Sequence, residues 1–194
     1  MAKRIYFCFH YQDVIDFRAN VVRNHWMTKP DREAAGFFDW SLWESAEKTG
    51  TVAVKRLING GLRGSSVTCV LIGSQTYLRP WVRYEIMQSY RRGNKIIGVH
   101  INSIPGKNKL TKQLGPNPLR YLGITYSVSG ITRTLHEVVE GKWRKYDGIG
   151  GSASFEGPPV GERFRDKGFK FSQWYSVYDW KADDGYNNFS KWVG

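Results

Sequence analysis

Short apolar runs alternate with amphipathic segments through the first hundred residues, a pattern typical of α/β proteins. The apolar runs predict strands at 4–9, 34–38, 66–72 and 95–101. Helical spacing from 14 to about 25 predicts a first helix, 51–59 a second that closes at Gly60 and Gly61, and 80–92 a third. The run 66–72 is apolar and β-branched throughout, which predicts a central strand of a parallel sheet, covered on both faces.

The pattern changes after residue 102. A loop-rich stretch leads to two segments, 121–127 and 132–139, that are expected to pair as a hairpin, followed by a strand at 142–146. We therefore expect an α/β domain with a mostly parallel sheet and helices on both faces over 1–128. A β-rich, aromatic extension over 129–194 is expected to pack on the same body. The aromatic side chains of its tail, which need a core or a partner to cover them, are Trp174, Tyr175, Tyr178, Trp180, Tyr186, Phe189 and Trp192.

Composition narrows the classes of partner. The 194 residues carry a formal net charge of +12, but the basic residues are scattered without the dense tract of a nucleic-acid tail, so neither nucleic acid nor a membrane is expected. No apolar run is long enough to cross a bilayer, and the start lacks the features of a signal peptide, which predicts a cytoplasmic location. Cys8 and Cys69 lie in apolar runs and are expected to be reduced and buried.

The start of the helix at 80–92 carries the strongest candidate chemistry. Trp81 and Glu85 lie one turn apart on the same face, directly after the predicted central strand. Open α/β sheets bind nucleotides at the carboxyl ends of their strands, where an aromatic wall beside a carboxylate suits a ribose. For an arbitrary pair at this spacing, a core Trp and a solvated Glu would be the more frequent interpretation.

The residues around this helix resemble a motif of TIR domains, SxxYxxSxWCxxEL in one-letter code. Ser74, Tyr77, Trp81, Glu85 and Ile86 match it. The spacing from Tyr77 to Trp81 is one residue shorter than in the motif, and Val82 replaces its Cys. The exit of the second strand at 38–39 resembles the start of the loop that follows the second strand in TIR domains. The resemblance implies a flavodoxin-like fold.

Similarity over the whole length is more specific. The chain is similar to the TIR-like NAD-consuming component of the bacterial Thoeris antiphage system in segments 9–13, 24–26, 67–74, 115–118, 177–180 and 182–187. This resemblance implies an enzyme that converts NAD⁺ into a cyclic ADP-ribose isomer, a second messenger that activates a partner effector. The resemblance is also compatible with a phage-derived trigger and with a homo-oligomer.

The chemistry of NAD⁺ cleavage agrees with a single carboxylate. Nicotinamide leaves as a neutral pyridine, so no general acid is required, unlike in ordinary glycosidases. We expect Glu85 to be the catalytic residue that stabilises positive charge at the ribose. The expected substrate-binding residues are Phe9, His10, Tyr11, Asp39, Ser74, Tyr77 and Trp81. Neither a metal nor a cofactor is expected, since NAD⁺ is the substrate.

Other functions stay open at this point. A TIR domain can be a scaffold that acts by protein assembly, without turnover. A nucleoside deoxyribosyltransferase-like enzyme would use a related fold and a catalytic Glu on a deoxynucleoside. A nucleophilic Cys8–His10 pair would lack a third, orienting group and is the weaker hypothesis. If the aromatic tail restrains the site, its removal from residue 169 onward should raise turnover.

Overall fold

The computed structural model describes residues 3–36, 40–148 and 152–194. The strands are Lys3–Cys8 (β1), Arg32–Ala35 (β2), Val67–Ile72 (β3), Lys95–His100 (β4), Leu122–Tyr126 (β5), Thr132–Val139 (β6), Lys142–Lys145 (β7), Ser154–Glu156 (β8), Gly168–Lys170 (β9) and Val177–Asp179 (β10). The helices are Tyr11–Ile15 (α1), Arg18–Met27 (α2), Trp40–Thr49 (α3), Thr51–Leu62 (α4), Pro80–Arg91 (α5) and Gly185–Trp192 (α6).

The first sheet contains five parallel strands in the order β10-β4-β3-β1-β2. Every residue of β3 is buried, as expected for a central strand with both faces covered. The predicted α/β class with a parallel sheet and flanking helices is therefore confirmed. Among the described residues, no helix combines the length and the apolar character that a membrane span requires.

Alternation along β1 divides the core into two layers. Tyr6 and Cys8 belong to one buried cluster, which includes residues of α4, α5 and the second sheet. Ile5 and Phe7 belong to the other, which includes residues of α2 and α6. Because successive side chains of a strand point to opposite faces, this division places α5 on the Tyr6 side of the sheet.

The second sheet is antiparallel, in the order β7-β6-β5-β9, with β8 also paired to β6. The predicted hairpin is present as β5 and β6, and its turn contains the predicted boundary at residue 128. This sheet packs against α5: Arg83 pairs with Glu137 of β6 at 2.7 Å, and Tyr90 stacks on Phe171 with ring centroids 4.9 Å apart. Helix α5 therefore has packing partners in both sheets.

The aromatic tail returns to the first sheet. Strand β10 pairs with β4, and α6 covers the cluster around Phe7. Phe189 is fully buried between rings that include Phe7 and Trp26, and Trp192 stacks on Tyr178 at 4.2 Å. Residues 177–194 thus complete the first sheet and its core, although they lie in the segment that was assigned to the extension.

Two predicted helices differ from the structure, and a third helix was missed. The helix expected from 14 to about 25 is two helices, because Phe17 adopts a left-handed backbone conformation with φ of 63° between them. Helix α4 continues through Gly60 and Gly61 to Leu62, whose burial against the core outweighs the low helix propensity of glycine. Helix α3 was not predicted at all.

The second strand begins and ends earlier than expected, at Arg32–Ala35 instead of 34–38. The chain leaves this strand at Gly36, where φ is +89° and a Cβ atom would lie 2.1 Å from the carbonyl oxygen of Phe7. Only glycine fits this close approach. The predicted binding residue Asp39 lies outside the described residues.

Candidate active site

A cavity of about 400 Å³ opens where β1 and β2 end and α5 begins. Its described lining residues are Phe9, His10, Tyr11, Gly36, Glu47, Arg79, Pro80, Trp81, Val82 and Glu85. The position is the carboxyl edge of a parallel sheet, where ligands of open α/β folds bind. Its volume is within the range of small-molecule sites.

The start of α5 explains how two of these side chains reach the cavity. Pro80 is the first helical residue, a position at which its missing N–H costs no helical hydrogen bond. Trp81 and Glu85 follow at a spacing of four residues and therefore lie on one face of the helix. Both line the cavity, whereas Ile86 is fully buried in the core.

Glu85 is held in an environment that disfavours its charge. The residue is only 6% exposed, and burial raises the pKa of its carboxyl from an ordinary value of 4.5 to about 7. The Tyr6 hydroxyl donates a hydrogen bond of 2.6 Å to Oε1 of Glu85, which opposes this rise. The carboxyl thus ionises near neutral pH, as suits a group that acts on a substrate at that pH.

Cys8 lies beside the same carboxyl but is not built as a nucleophile. Its thiol interacts with Glu85 and also lies 3.8 Å from the carbonyl oxygen of Val82. A thiol has one proton, so it can donate to only one of these acceptors at a time. Burial raises the pKa of Cys8 well above its ordinary value, which leaves the unreactive thiol form at neutral pH. The structure offers no support for a Cys8–His10 nucleophilic pair.

His10 and Arg79 both line the cavity and interact electrostatically. The Nδ1 atom of His10 accepts a hydrogen bond of 2.8 Å from the backbone N–H of Gln12 and caps α1. Burial, and then the charge of Arg79, lower the pKa of His10, so the ring is neutral at pH 7. With Nδ1 as an acceptor, the neutral ring carries its proton on Nε2.

Arg79 supplies positive charge to the cavity. It occupies the N-cap position of α5, and its side chain also contacts Gln75. Its Nε–H is buried and has no hydrogen-bond partner within the described part of the chain. A buried guanidinium donor without a partner is costly unless a ligand satisfies it, so this group is suited to an anionic ligand.

The predicted site residues fall into three groups. Phe9, His10, Tyr11, Trp81 and Glu85 line one cavity. By contrast, two predicted residues do not line it: Ser74 accepts a hydrogen bond of 2.9 Å from Asn102, and the ring of Tyr77 packs on Tyr121 at 5.2 Å. Tyr77 lies within a short 3₁₀ helix, Thr76–Leu78, that precedes α5. Asp39 is outside the described residues.

Sequence reasoning missed several members of the site. Gly36, Glu47 and Arg79 line the cavity. Tyr6 does not line it but donates a hydrogen bond to Glu85. Arg79 had a local signal, since it immediately precedes the proline that starts α5, whereas Tyr6 shares a strand face with the buried Cys8 and is predicted only as a core residue. No comparable signal pointed to Glu47, which lies on a helix that was not predicted.

No metal centre is apparent among the described residues, since none of their His, Cys, Asp and Glu side chains form a group of three or more that could hold an ion. The cavity combines the carboxyl groups of Glu47 and Glu85, aromatic walls and the Arg79 guanidinium, whose Nε–H has no hydrogen-bond partner among the described residues. These groups can bind a nucleotide and stabilise a cation, but they do not form a phosphate loop of the Walker type.

Comparison with known proteins agrees with this geometry. A family model described as the TIR-like domain of the Thoeris protein ThsB matches residues 6–105. The chain is 58% identical over 193 residues to a protein of Bacillus cereus (strain MSX-D12) that is named as a cyclic ADP-D-ribose synthase, ThsB1. The alignment covers 100% of both chains. The chain therefore belongs to the Thoeris ThsB family of TIR-like proteins.

Proposed function

We propose that the protein is a TIR-type enzyme of antiphage defence that cleaves NAD⁺ between nicotinamide and ribose and releases a cyclic ADP-ribose isomer. The observation that carries this proposal is the buried Glu85 carboxyl, which ionises near pH 7 inside an aromatic cavity at the carboxyl edge of the sheet. A protein acting only as a scaffold has no need of such a group. The name of the relative from Bacillus cereus supports the same activity.

The bond to nicotinamide breaks without help from an acid. The electron pair of that bond goes to the pyridinium nitrogen, which becomes neutral, and positive charge develops at the anomeric carbon of the ribose. The Glu85 carboxylate stabilises this oxocarbenium character by electrostatic attraction in a site that is largely shielded from water. Trp81 supplies a flat wall for the ribose or the nicotinamide.

Ring closure follows when a nucleophile of the same ADP-ribose reaches the anomeric carbon before water does. An adenine nitrogen or a ribose hydroxyl can take this role, and holding both ends of one substrate together raises its effective concentration. A hydroxyl nucleophile releases a proton as the new bond forms. A carboxylate with a pKa of about 7 is matched to accept that proton.

Two further residues are proposed to orient the substrate. The guanidinium of Arg79, whose Nε–H has no hydrogen-bond partner among the described residues, would donate to the diphosphate, whose charge and geometry suit a guanidinium. The Nε2–H of neutral His10 is a second donor on the cavity wall. Phe9 and Tyr11 complete the aromatic lining on the same side as His10. Roles for Asp39, Ser74 and Tyr77 stay predictions.

The cellular setting is part of the proposal. The enzyme would act in the cytoplasm and reach its effector protein through the diffusible cyclic product, without a direct contact. A phage-derived trigger would start the reaction. These expectations follow from the family and from the nature of the product, which is a small nucleotide able to diffuse.

The test is incubation of the protein with NAD⁺, with products separated by chromatography and identified by mass spectrometry. Nicotinamide and an ADP-ribose isomer with the mass of a cyclised product are expected, once the physiological trigger is present. Linear ADP-ribose alone would show a hydrolase. If neither nicotinamide nor any ADP-ribose isomer forms with the trigger present, the enzyme assignment is wrong.

A matched pair of variants separates the role of the carboxyl from general damage. Glu85→Gln keeps the size of the side chain and its acceptor for Tyr6, but it should abolish turnover. Glu140→Gln makes the same change at an exposed glutamate outside the cavity and should retain turnover. Equal loss of activity in both variants would point to misfolding in place of catalysis.

A further inference from the structure

A buried tyrosine that does not line the cavity contacts Glu85, and no feature of the family motif identifies it. Tyr6 is fully buried in β1, and its hydroxyl lies 2.6 Å from Oε1 of Glu85. This length is typical of a strong, charge-assisted O–H to carboxylate bond. The contact joins two elements that are 79 residues apart in sequence, so it depends on the docking of α5 against β1.

The direction of this hydrogen bond is determined by the burial of Tyr6. Burial, and then the charge of Glu85, raise the pKa of Tyr6 well above its ordinary value, so the hydroxyl keeps its proton at any physiological pH. It therefore acts as a donor to the carboxylate. When the carboxyl is protonated, the same contact loses its charge assistance, so Tyr6 favours the ionised form of Glu85.

The bond also orients the carboxylate. One oxygen, Oε1, accepts the hydrogen bond from Tyr6, which does not line the cavity, whereas Glu85 does line it. We propose that Tyr6 is a positioning residue that holds Glu85 by Oε1 and thereby presents its second oxygen, ionised, to the ribose. This inference rests on the proposed NAD⁺ cleavage and adds to it the means by which a buried carboxylate is kept charged and aimed.

The other ionisable groups around Glu85 do not take over this role. Cys8 of β1 interacts with Glu85, Tyr84 of α5 interacts with Tyr6, and the groups that line the same cavity are Arg79 at the N-cap of α5, His10 after β1 and Glu47 from α3. Among the described residues, the pKa of Glu85 is set by burial and by the hydrogen bonds of Cys8 and Tyr6. A thiol is a weak donor and also meets the Val82 carbonyl, which leaves Tyr6 as the main donor.

The experiment compares Tyr6→Phe with the wild type. Loss of the donor should move the acidic limb of the pH profile of kcat upward by about one to two pH units, the size expected for one hydrogen bond to a charged group. At pH 7, kcat should fall about five- to fiftyfold, with KM changed less than about twofold, because the tyrosine does not touch the substrate. The profile should approach that of the wild type at high pH.

Tyr84→Phe is the matched control. Tyr84 is a buried tyrosine on α5, next to Glu85 in sequence, and its hydroxyl bonds to Asn59 at 2.9 Å. Removing that hydroxyl also deletes one partly buried hydrogen bond, yet it should leave the pH profile unshifted. A thermal melt establishes that each variant is folded.

A second readout does not depend on turnover. Carbon-13 NMR of the labelled Glu85 carboxyl should report a higher midpoint of titration in Tyr6→Phe than in the wild type. An unshifted midpoint in folded Tyr6→Phe protein would overturn the inference, as would an equal shift in Tyr84→Phe. If the wild type releases no nicotinamide but the midpoint shifts, the role of Tyr6 stands and the proposed function fails.

Discussion

Replacing Glu85 by Gln should make the protein inactive but more stable at alkaline pH. The carboxyl is buried, and its pKa in the folded protein is about 7 against an ordinary value of 4.5. Folding above neutral pH must therefore keep a charge in a poorly solvated position. The amide of Gln carries no charge, fills nearly the same space and can still accept the hydrogen bond from Tyr6.

The two pKa values of Glu85, about 7 when folded and 4.5 ordinarily, determine the direction and the size of its effect on the free energy of unfolding. A carboxyl whose pKa is raised on folding costs nothing below pH 4.5, where it is protonated in both states. The cost grows as pH rises through the interval and is complete above about pH 7. The difference of about 2.5 units corresponds to about 3 kcal/mol of the free energy of unfolding. Glu85→Gln should recover up to this amount at pH 8 and almost none at pH 4.5.

Urea denaturation of both proteins at several pH values between 4.5 and 8 measures this difference directly. Other titrating groups, such as the buried Asp13, are present in both proteins and cancel in the comparison. If the difference in the free energy of unfolding between wild type and variant did not change with pH, the reasoning would be refuted. A variant that is less stable at pH 8 would refute it as well, since it would mean that the ionised carboxylate is a net stabiliser.

Three more measurements follow from the same structure. The kcat of the wild type should rise about tenfold between pH 6 and pH 8, because a carboxyl with a pKa of about 7 ionises in this interval; a flat profile would contradict this. Arg79→Met should raise KM about tenfold or more with little change in stability, whereas Arg91→Met, at the far end of α5, should leave KM unchanged. Phe189→Ala should lower the free energy of unfolding by about 3–5 kcal/mol, against less than about 0.5 kcal/mol for Val128→Ala at an exposed position, both measured in urea.

Local patterns predicted the elements that carry the site. Three of these patterns depend only on residues close together in sequence: the apolar run of β3, the short apolar run of β1 and the proline that starts α5. The structure contains all three elements as expected. The three-residue strand β10 has no such signal. Its place beside β4 results from pairing across 79 positions, between Val177 and Gly98, which no local pattern can reveal.

The residues of the cavity also divide into those that a local sequence pattern relates and those that only distant contacts bring together. Trp81 and Glu85 are related by helical periodicity, and Phe9, His10 and Tyr11 by their position at a strand end, so the sequence could group them. Tyr6 was missed because an apolar strand predicts only that its residues are buried in the core. The contact of Tyr6 with Glu85 becomes apparent only in the folded structure. Ser74 and Tyr77 were included from the family motif, yet their packing partners are Asn102 and Tyr121, away from the cavity.

The position of Glu85 depends on both ends of the chain. Helix α5 packs on β1 on one side. On its other side it is bound to the antiparallel sheet by the ion pair between Arg83 and Glu137. The stack of Tyr90 on Phe171 adds a contact with a residue that follows β9. Removal of residues from 169 onward would delete this stack together with β10 and α6, and it would expose the core around Phe7. Loss of folding is therefore the expected result of that truncation, and a tail that restrains the enzyme would have to be tested by point changes on its exposed face.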